Sequence, residues 1–323
     1  MKQITDFPRI PLGVFPTPLV KLENISRDVG KNIYLKRDDM SGVSLGGNKV
    51  RKLEFLLAEA KKQGADTVMT TGQAQSNHAM LTAACANKLG MKAILMLKKR
   101  GVTECLGNQI LNRILGAQVE YYDTDQYTDI YEEMAKRKTE LAKEGHIAYE
   151  IPCGGSTALG ALGYVEGFRE TMEQCKTLGI HPDRMVSVVG SGGTYAGLCA
   201  GADLFAPQVK VTGMAVDHDP FEQITKQLKD EISSLLELDQ PLRHDNVEIY
   251  YNCGAGYGIP GREDGEAVRY MARREGIMLD PVYTGKAFSL FLRMLREGAF
   301  RDDKTIIFLH SGGAGGLFAI DLP

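Results

Sequence analysis

The strongest constraint on the fold is an alternation. Short β-branched or apolar runs at 33–39, 67–71, 93–97, 119–122, 147–151, 185–189, 209–216, 247–251 and 305–310 are separated by stretches with helical spacing. Several junctions are rich in glycine, and Gly64, Gly90 and Gly116 each close a helical stretch. Repeated strand–helix alternation predicts an α/β fold: parallel sheets with helices on both faces, a three-layer αβα arrangement. A glycine-rich return, Cys153-Gly154-Gly155-Ser156-Thr157-Ala158-Leu159-Gly160, divides the alternation into two blocks, so two lobes are expected. In such folds ligands sit where the carboxyl ends of strands meet helix N-termini. The segment through Pro18 and Leu19 is proline-punctuated and reads as a surface run.

At 323 residues there is enough chain for two well-buried cores. A formal net charge of -3 gives no reason to expect nucleic acid or an acidic membrane as partner. Lys98-Lys99-Arg100 reads as a solvated loop. No run approaches the roughly 18 apolar residues of a membrane span. The N-terminus shows no secretory pattern, so a cytoplasmic protein is expected. The six cysteines and six histidines show no metal-site spacing, and reduced, mostly buried thiols are the simplest expectation.

The candidate chemistry begins at Ser44-Leu45-Gly46-Gly47-Asn48-Lys49. The glycine pair reads as a place where backbone approaches a bound group. Val50, Leu53, Leu56, Leu57 and Ala60 then recur at helical spacing, giving one apolar face. Lys49 therefore starts a helix, where the dipole and free N–H groups disfavour a cationic amine. Such a lysine can condense with an aldehyde; an ordinary solvated lysine is the alternative. Gly190-Ser191-Gly192-Gly193-Thr194 follows an apolar run and opens a helix, which suits a phosphate. It lacks the Lys-Ser/Thr of a triphosphate loop and the spacing of a dinucleotide fingerprint. Ser76-Asn77-His78 occupies a similar turn and suits a carboxylate, or else simply caps a helix. Ser311 ends the last strand, where its hydroxyl could reach a ring nitrogen. Tyr257 and Tyr283 lie among turn residues and could stack on a flat ring or exchange a proton. An aldehyde, a phosphate and an aromatic ring together describe pyridoxal 5′-phosphate.

The chain also resembles the tryptophan-synthase-β-like, fold-type II pyridoxal-phosphate enzymes. It looks most like the branch of D-cysteine desulfhydrase and 1-aminocyclopropane-1-carboxylate (ACC) deaminase, near L-cysteate sulfo-lyase. The likeness runs from about Phe7 to Phe318. It rests on Lys36-Arg37-Asp38-Asp39, on Gly46-Gly47-Asn48-Lys49-Val50-Arg51-Lys52-Leu53-Glu54 and on Gln75-Ser76-Asn77-His78. Further along it rests on Gly160-Ala161-Leu162-Gly163-Tyr164, Gly256-Tyr257-Gly258, Leu279-Asp280-Pro281-Val282-Tyr283-Thr284-Gly285-Lys286 and His310-Ser311-Gly312-Gly313.

The resemblance implies that Lys49 tethers the cofactor and that Asn77 bonds its phenolic oxygen. Gly190, Ser191, Gly192, Gly193 and Thr194 would cradle its phosphate, with Asn48 alongside, and Tyr283 would lie against its ring. Ser76, Asn77 and His78 would bind the substrate carboxylate, Ser76 could assist proton transfer, and Tyr257 would face the substrate. It implies a large domain of 1–48 plus 164–323, a small domain of 49–163, an active site between them, and a homodimer. Thr284 stands where ACC deaminases carry a glutamate for the pyridine nitrogen, and Ser311 where they carry an apolar residue. A neutral hydroxyl partner weakens the electron sink, which favours β-elimination over opening a cyclopropane. Several relatives have a basic residue near Met80; its absence lowers the cysteate reading, while Gly312 to Phe318 looks more like the sulfo-lyase ending. The expected activity is β-elimination from a β-substituted amino acid: D-cysteine desulfhydration first, then cysteate sulfo-lysis, with ACC deamination lower. A racemase or ammonia-lyase of the same fold, or a non-catalytic binding protein, would be the further alternatives.

Overall fold

The computed structural model describes residues 1–99 and 104–323. In chain order the elements are β1 (Leu19–Lys21), α1 (Glu23–Val29), β2 (Asn32–Arg37), α2 (Lys49–Lys62), β3 (Thr67–Gln73), α3 (Asn77–Lys88), β4 (Lys92–Lys98), α4 (Asn108–Ile114), β5 (Gln118–Tyr122) and α5 (Tyr127–Lys143). They continue with β6 (Ala148–Ile151), α6 (Ala158–Leu178), β7 (Arg184–Val189), α7 (Gly193–Phe205), β8 (Lys210–Ala215), α8 (Phe221–Leu235), β9 (Glu248–Tyr251), α9 (Arg262–Glu275), α10 (Thr284–Arg296) and β10 (Thr305–His310).

Two sheets result, a six-stranded one in the order β1-β2-β10-β7-β8-β9 and a four-stranded one in the order β5-β4-β3-β6. Every pairing is parallel except β1 with β2. Strands β7 and β10 are buried at every position, as expected of parallel strands covered on both faces. Hence their sequences are mostly apolar rather than alternating: Ile306–Leu309 is unbroken, and Met185–Val189 is interrupted only by Ser187. In the larger core Phe288 packs edge-on against Phe308, with ring centroids 5.2 Å apart. The three-layer α/β architecture read from the alternation is the one observed. No helix among the described residues is long and apolar enough to cross a membrane.

Three local expectations are corrected. The proline-punctuated start does not simply run over the surface: Thr17 is fully buried, and β1 and α1 follow it. Strand β1 has three residues on a sheet edge, too few for a period-2 signal. Helix α2 has no solvated face over residues 50–58; Arg51, Lys52 and Glu54 are as buried as Val50 and Leu53. It is wedged between α3 and α6, so polar positions on it needed buried partners. Lys98 is buried as well, its ammonium 3.6 Å from the centre of the Tyr127 ring and 2.7 Å from the Asp125 carbonyl; Arg100 of that basic run lies outside the described residues.

The partners of Arg51 define how α2 is anchored. Its guanidinium makes two parallel hydrogen bonds to Asp38, 2.8 and 2.9 Å, and reaches Glu170 on α6 at 2.8 Å. The Asp38 carboxylate also accepts from Thr17 Oγ1 at 2.7 Å and Tyr164 Oη at 2.5 Å. Lys36 completes the group by donating to Glu170 and to the Thr17 carbonyl. Burial pushes the Asp38 carboxyl up, but the Arg51 charge and hydrogen bonds outweigh it and hold the group at about 2. The Lys36-Arg37-Asp38-Asp39 motif thus fixes the helix that begins at Lys49.

Candidate active site

Strand carboxyl ends of both sheets converge on one cleft of about 280 Å³. From the four-stranded sheet, β3 delivers Ser76, Asn77 and His78, and β6 delivers Cys153. From the six-stranded sheet, β7 delivers Gly190, Ser191, Gly192 and Thr194, β10 delivers Ser311, and the loop after β9 delivers Tyr257. Asn48 and Lys49 enter at the start of α2, and Tyr283 immediately before α10. A wider cavity of about 880 Å³ shares Tyr127, Tyr257 and Tyr283 with the cleft and is also lined by Lys98.

The loop before Lys49 is shaped by its own backbone. A Cβ on Gly46 would lie 1.7 Å from the Asp39 carbonyl oxygen, and Gly46 has a φ of +72°. Gly47 bridges to Gly312, and the Asn48 N–H donates to the Ser311 carbonyl at 2.9 Å. The glycine pair therefore admits neighbouring backbone rather than a bound group, and it ties the Lys49 turn to the Ser311 turn. Burial lowers the Lys49 pKa to about 8, with Cys153 nearby opposing the shift only partly.

Asn48 Nδ2 donates to Thr194 Oγ1 at 3.0 Å. Helix α7 begins in the cleft wall with no side-chain cap; Gly192 has a φ of +82°, and the Gly193 N–H donates to Ser156 Oγ at 3.2 Å. Ser156 in turn donates to Ser191 Oγ at 2.9 Å. A Cβ on Gly193 would come within 2.8 Å of Lys52 Nζ, so this buried ammonium abuts the turn. Lys52 donates to the Gly154 carbonyl at 3.1 Å and has no carboxylate within ion-pair distance among the described residues. Burial, reinforced by Lys49, pushes its pKa well below the usual range.

Ser76 does cap α3, accepting from the Ala79 N–H at 3.2 Å, while still lining the cleft. Asn77 Oδ1 accepts from Asn108 Nδ2 at 2.7 Å, leaving its own amide donors unengaged among the described residues. His78 Nε2 lies 2.8 Å from Thr70 Oγ1, whose hydrogen goes to the Ile151 carbonyl. His78 Nε2 therefore donates to Thr70 Oγ1, and buried Nδ1, near the Pro152 carbonyl, makes no well-formed hydrogen bond among the described residues. Burial, then the charges of Lys49 and Lys52, hold the ring neutral. Tyr257 and Tyr283 meet hydroxyl to hydroxyl, their rings 5.7 Å apart at 71°. Burial raises both phenols, so both are protonated at neutral pH.

Two of the expected residues do not line the cleft. Thr284 is fully buried behind it, donating to Asp280 Oδ1 at 2.6 Å and accepting from the Asp280 N–H at 2.9 Å. Gly193 sits behind the wall formed by its neighbours. Conversely, sequence reasoning passed over Lys52, Ser156, Cys153, Tyr127, Asp217 and Asp219. Lys52 had a readable signal: three residues after Lys49, it lies one helical turn on, along the same side.

A sequence profile described as "Pyridoxal-phosphate dependent enzyme" matches residues 10–312. The chain is 40% identical over 326 residues to a D-cysteine desulfhydrase of Klebsiella pneumoniae (strain 342), covering 99% of this chain and 98% of that protein. It is 39% identical over 320 residues to a putative 1-aminocyclopropane-1-carboxylate deaminase of Pyrococcus abyssi, covering 98% and 94%. A solved structure titled as an ACC deaminase homologue superposes with a TM-score of 0.90 at 38% identity, covering 98% of this chain and 94% of that one. A fungal L-serine ammonia-lyase from Rhizomucor miehei, at 19% identity and a TM-score of 0.68 over 95% of this chain and 94% of that one, shares the fold. The chain is thus a member of the pyridoxal-phosphate dependent enzyme family, of fold type II, in the branch that holds D-cysteine desulfhydrase and ACC deaminase.

Proposed function

We propose that the chain is a pyridoxal-phosphate lyase that eliminates the β-substituent of a small amino acid, with D-cysteine as substrate and pyruvate, ammonia and sulfide as products. The residues fit the cofactor on their own chemistry. The buried Lys52 amine, without a carboxylate partner among the described residues and able to be held protonated by an anion, lies beside the α7 start and the Ser156, Ser191 and Thr194 hydroxyls, which together make a donor set for a phosphate. The Lys49 amine, with its pKa brought down to about 8, is available to hold an aldehyde. Asn77 would bond the ring's phenolic oxygen, and Ser311, whose hydroxyl makes no hydrogen bond among the described residues, its nitrogen. Thr284, bound to Asp280, would support Tyr283 rather than touch the ring.

When bound, pyridoxal phosphate supplies an electron sink that lets an α-proton and a β-substituent depart from an amino acid. The chain's residues would do the rest. Ser76 and the first N–H groups of α3 would hold the substrate carboxylate. Lys49 Nζ, once released, would take the α-proton. The Tyr257–Tyr283 pair, protonated at neutral pH, can donate a hydrogen to a departing thiolate. We assign the large domain to 1–48 plus 164–323 and the small one to 49–163, with the cleft between.

The observation that carries cysteine over cysteate is the charge of the lining: Lys49 is the sole Lys or Arg among the described cleft residues, and Asp217 and Asp219 share it. With Lys49 committed to the cofactor, a sulfonate would meet carboxylates there without a further Lys or Arg among the described cleft residues to pair it. ACC deamination is the second reading, favoured by the names of the Pyrococcus relative and the solved homologue. A neutral Ser311 as the ring-nitrogen partner counts against it.

The test is keto-acid release from D-cysteine, L-cysteine, L-cysteate and ACC by the purified enzyme. Pyruvate with stoichiometric sulfide from D-cysteine is the expected result; 2-oxobutanoate from ACC at a higher kcat/KM would overturn it, and no keto acid from any of them would favour a binding protein. A second expectation concerns Lys52. Lys52→Gln removes a charge-assisted hydrogen bond worth about 1.5–3 kcal/mol, so the cofactor should bind roughly ten- to a hundredfold more weakly. Fluorescence titration of the apoprotein measures it, and an unchanged dissociation constant would remove Lys52 from the phosphate site.

A further inference from the structure

The loop that carries Tyr257 has little of its own to hold it in place. Gly254, Gly256 and Gly258 adopt φ values of +53°, +121° and +78°, conformations that side chains other than glycine's rarely take. A Cβ added at Gly256 or Gly258 would meet nothing within 4 Å, so the loop borders open space there. At Gly254 the nearest atom would be Lys286 Nζ, at 3.9 Å.

Lys286 comes from α10, three residues after Tyr283, and its side chain is fully buried. Its ammonium donates to the Cys253 carbonyl at 3.0 Å and to the Gly256 carbonyl at 2.8 Å, and it forms no ion pair among the described residues. The same two carbonyls accept the loop's own backbone bonds, from the Gly256 and Ile259 N–H groups. The near end of the loop is fixed too: Asn252 Nδ2 donates to the Lys286 carbonyl at 3.0 Å and to Asp264 Oδ1 at 3.1 Å. A full charge spent on two loop carbonyls is more than packing needs. A methionine would fill the same space without a buried cation to satisfy.

We infer that Lys286 is a positioning residue: it clamps the 253–256 turn so that the Tyr257 hydroxyl rests on that of Tyr283 in the cleft. One helical turn of α10 thereby sets both tyrosines, since Tyr283 precedes the helix and Lys286 lies within its first turn. The inference deepens the lyase reading, because a well-placed phenol pair matters only if the pair handles a proton. The clamp itself is independent of the substrate's identity.

The experiment compares wild type with Lys286→Met and Lys286→Arg. Hydrogen exchange by mass spectrometry is followed across 252–259 and across α10, with cofactor content and steady-state kinetics measured on the same preparations. Lys286→Met should bind cofactor as wild type does and exchange roughly ten- to a hundredfold faster across 252–259 but not across α10. Its kcat should fall by a similar factor with KM little changed, and Lys286→Arg should recover a large part of both. Unchanged exchange in the loop, or acceleration spread equally over α10, would overturn the clamp. If Lys286→Met does not fold, Lys286→Gln keeps a donor without the charge, and the same loop-confined acceleration is required of it. A wild type that releases no keto acid, with the loop effect intact, would defeat the lyase reading and leave the clamp standing.

Discussion

Lys49→Ala is expected to lose turnover entirely while remaining folded and able to take up free pyridoxal phosphate in the 190–194 turn. If Lys49 moves the α-proton, as proposed, its removal should by itself reduce the rate by about 10²–10⁴-fold. Losing the covalent tether removes the imine absorbance of the bound cofactor as well, leaving only that of the free aldehyde. Both are read on one sample, by keto-acid release and by the spectrum after dialysis. Normal pyruvate production by the variant would place the chemistry elsewhere. The same residue makes a pH expectation. Only a neutral amine condenses with an aldehyde, and burial brings Lys49 down from 10.5 to about 8. Reconstitution of the apoprotein should therefore speed up with rising pH and level off above about 8. A rate still climbing at a pH of about 10, near the ordinary lysine value, would mean that the amine is solvated.

The second large effect is on stability and lies away from the cleft. Arg51→Met should strand the Asp38 carboxylate in a buried site, with Thr17 and Tyr164 hydroxyls but without its guanidinium. Breaking a buried pair by removing one partner costs roughly 3–5 kcal/mol. For a chain of this size the melting midpoint should fall by roughly 4–7 °C. The acid limb supplies a sharper signature. A carboxyl held at about 2 in the folded state, against an ordinary 3.8, contributes stability fully present above 3.8 and lost as pH falls toward 2. In Arg51→Met that contribution disappears, so the steep loss of stability in this window should flatten. Calorimetry between about pH 2 and 5 measures it, and an acid limb as steep as the wild type's would show that Asp38 is not held by Arg51.

These two residues mark how far the sequence could be read. Lys49 was legible because its surroundings are local: glycines before it, a helical period after it. The same holds for the 190–194 and 76–78 turns, each a strand end running into a helix start. Arg51 and Lys52 sit in the same helix, yet their burial was not legible. Their partners, Asp38, Glu170 and Gly154, come from other parts of the chain, and an apolar spacing predicts one buried face rather than a helix enclosed on all sides. Thr284 illustrates the opposite error: its neighbour Tyr283 faces the cleft, but helical geometry turns the next residue away, onto Asp280. Gly46 was read as space for a guest, whereas the space is filled by the Asp39 carbonyl. Side-chain type and spacing located the cleft; which wall of it each residue faces was decided by contacts distant in sequence.

The order of strands in the six-stranded sheet bears on how the chain is made. Strand β10 lies between β2 and β7, yet it leaves the ribosome after all the others. The four-stranded sheet draws only on β3 to β6 and can close early in translation. Until residues 305–310 emerge, β2 and β7 have no parallel neighbour on their facing edges, and an unpaired apolar edge is open to association with other chains. A nascent polypeptide stalled before that point would hold a finished smaller half and a larger half divided down its middle, a state for holding chaperones to cover.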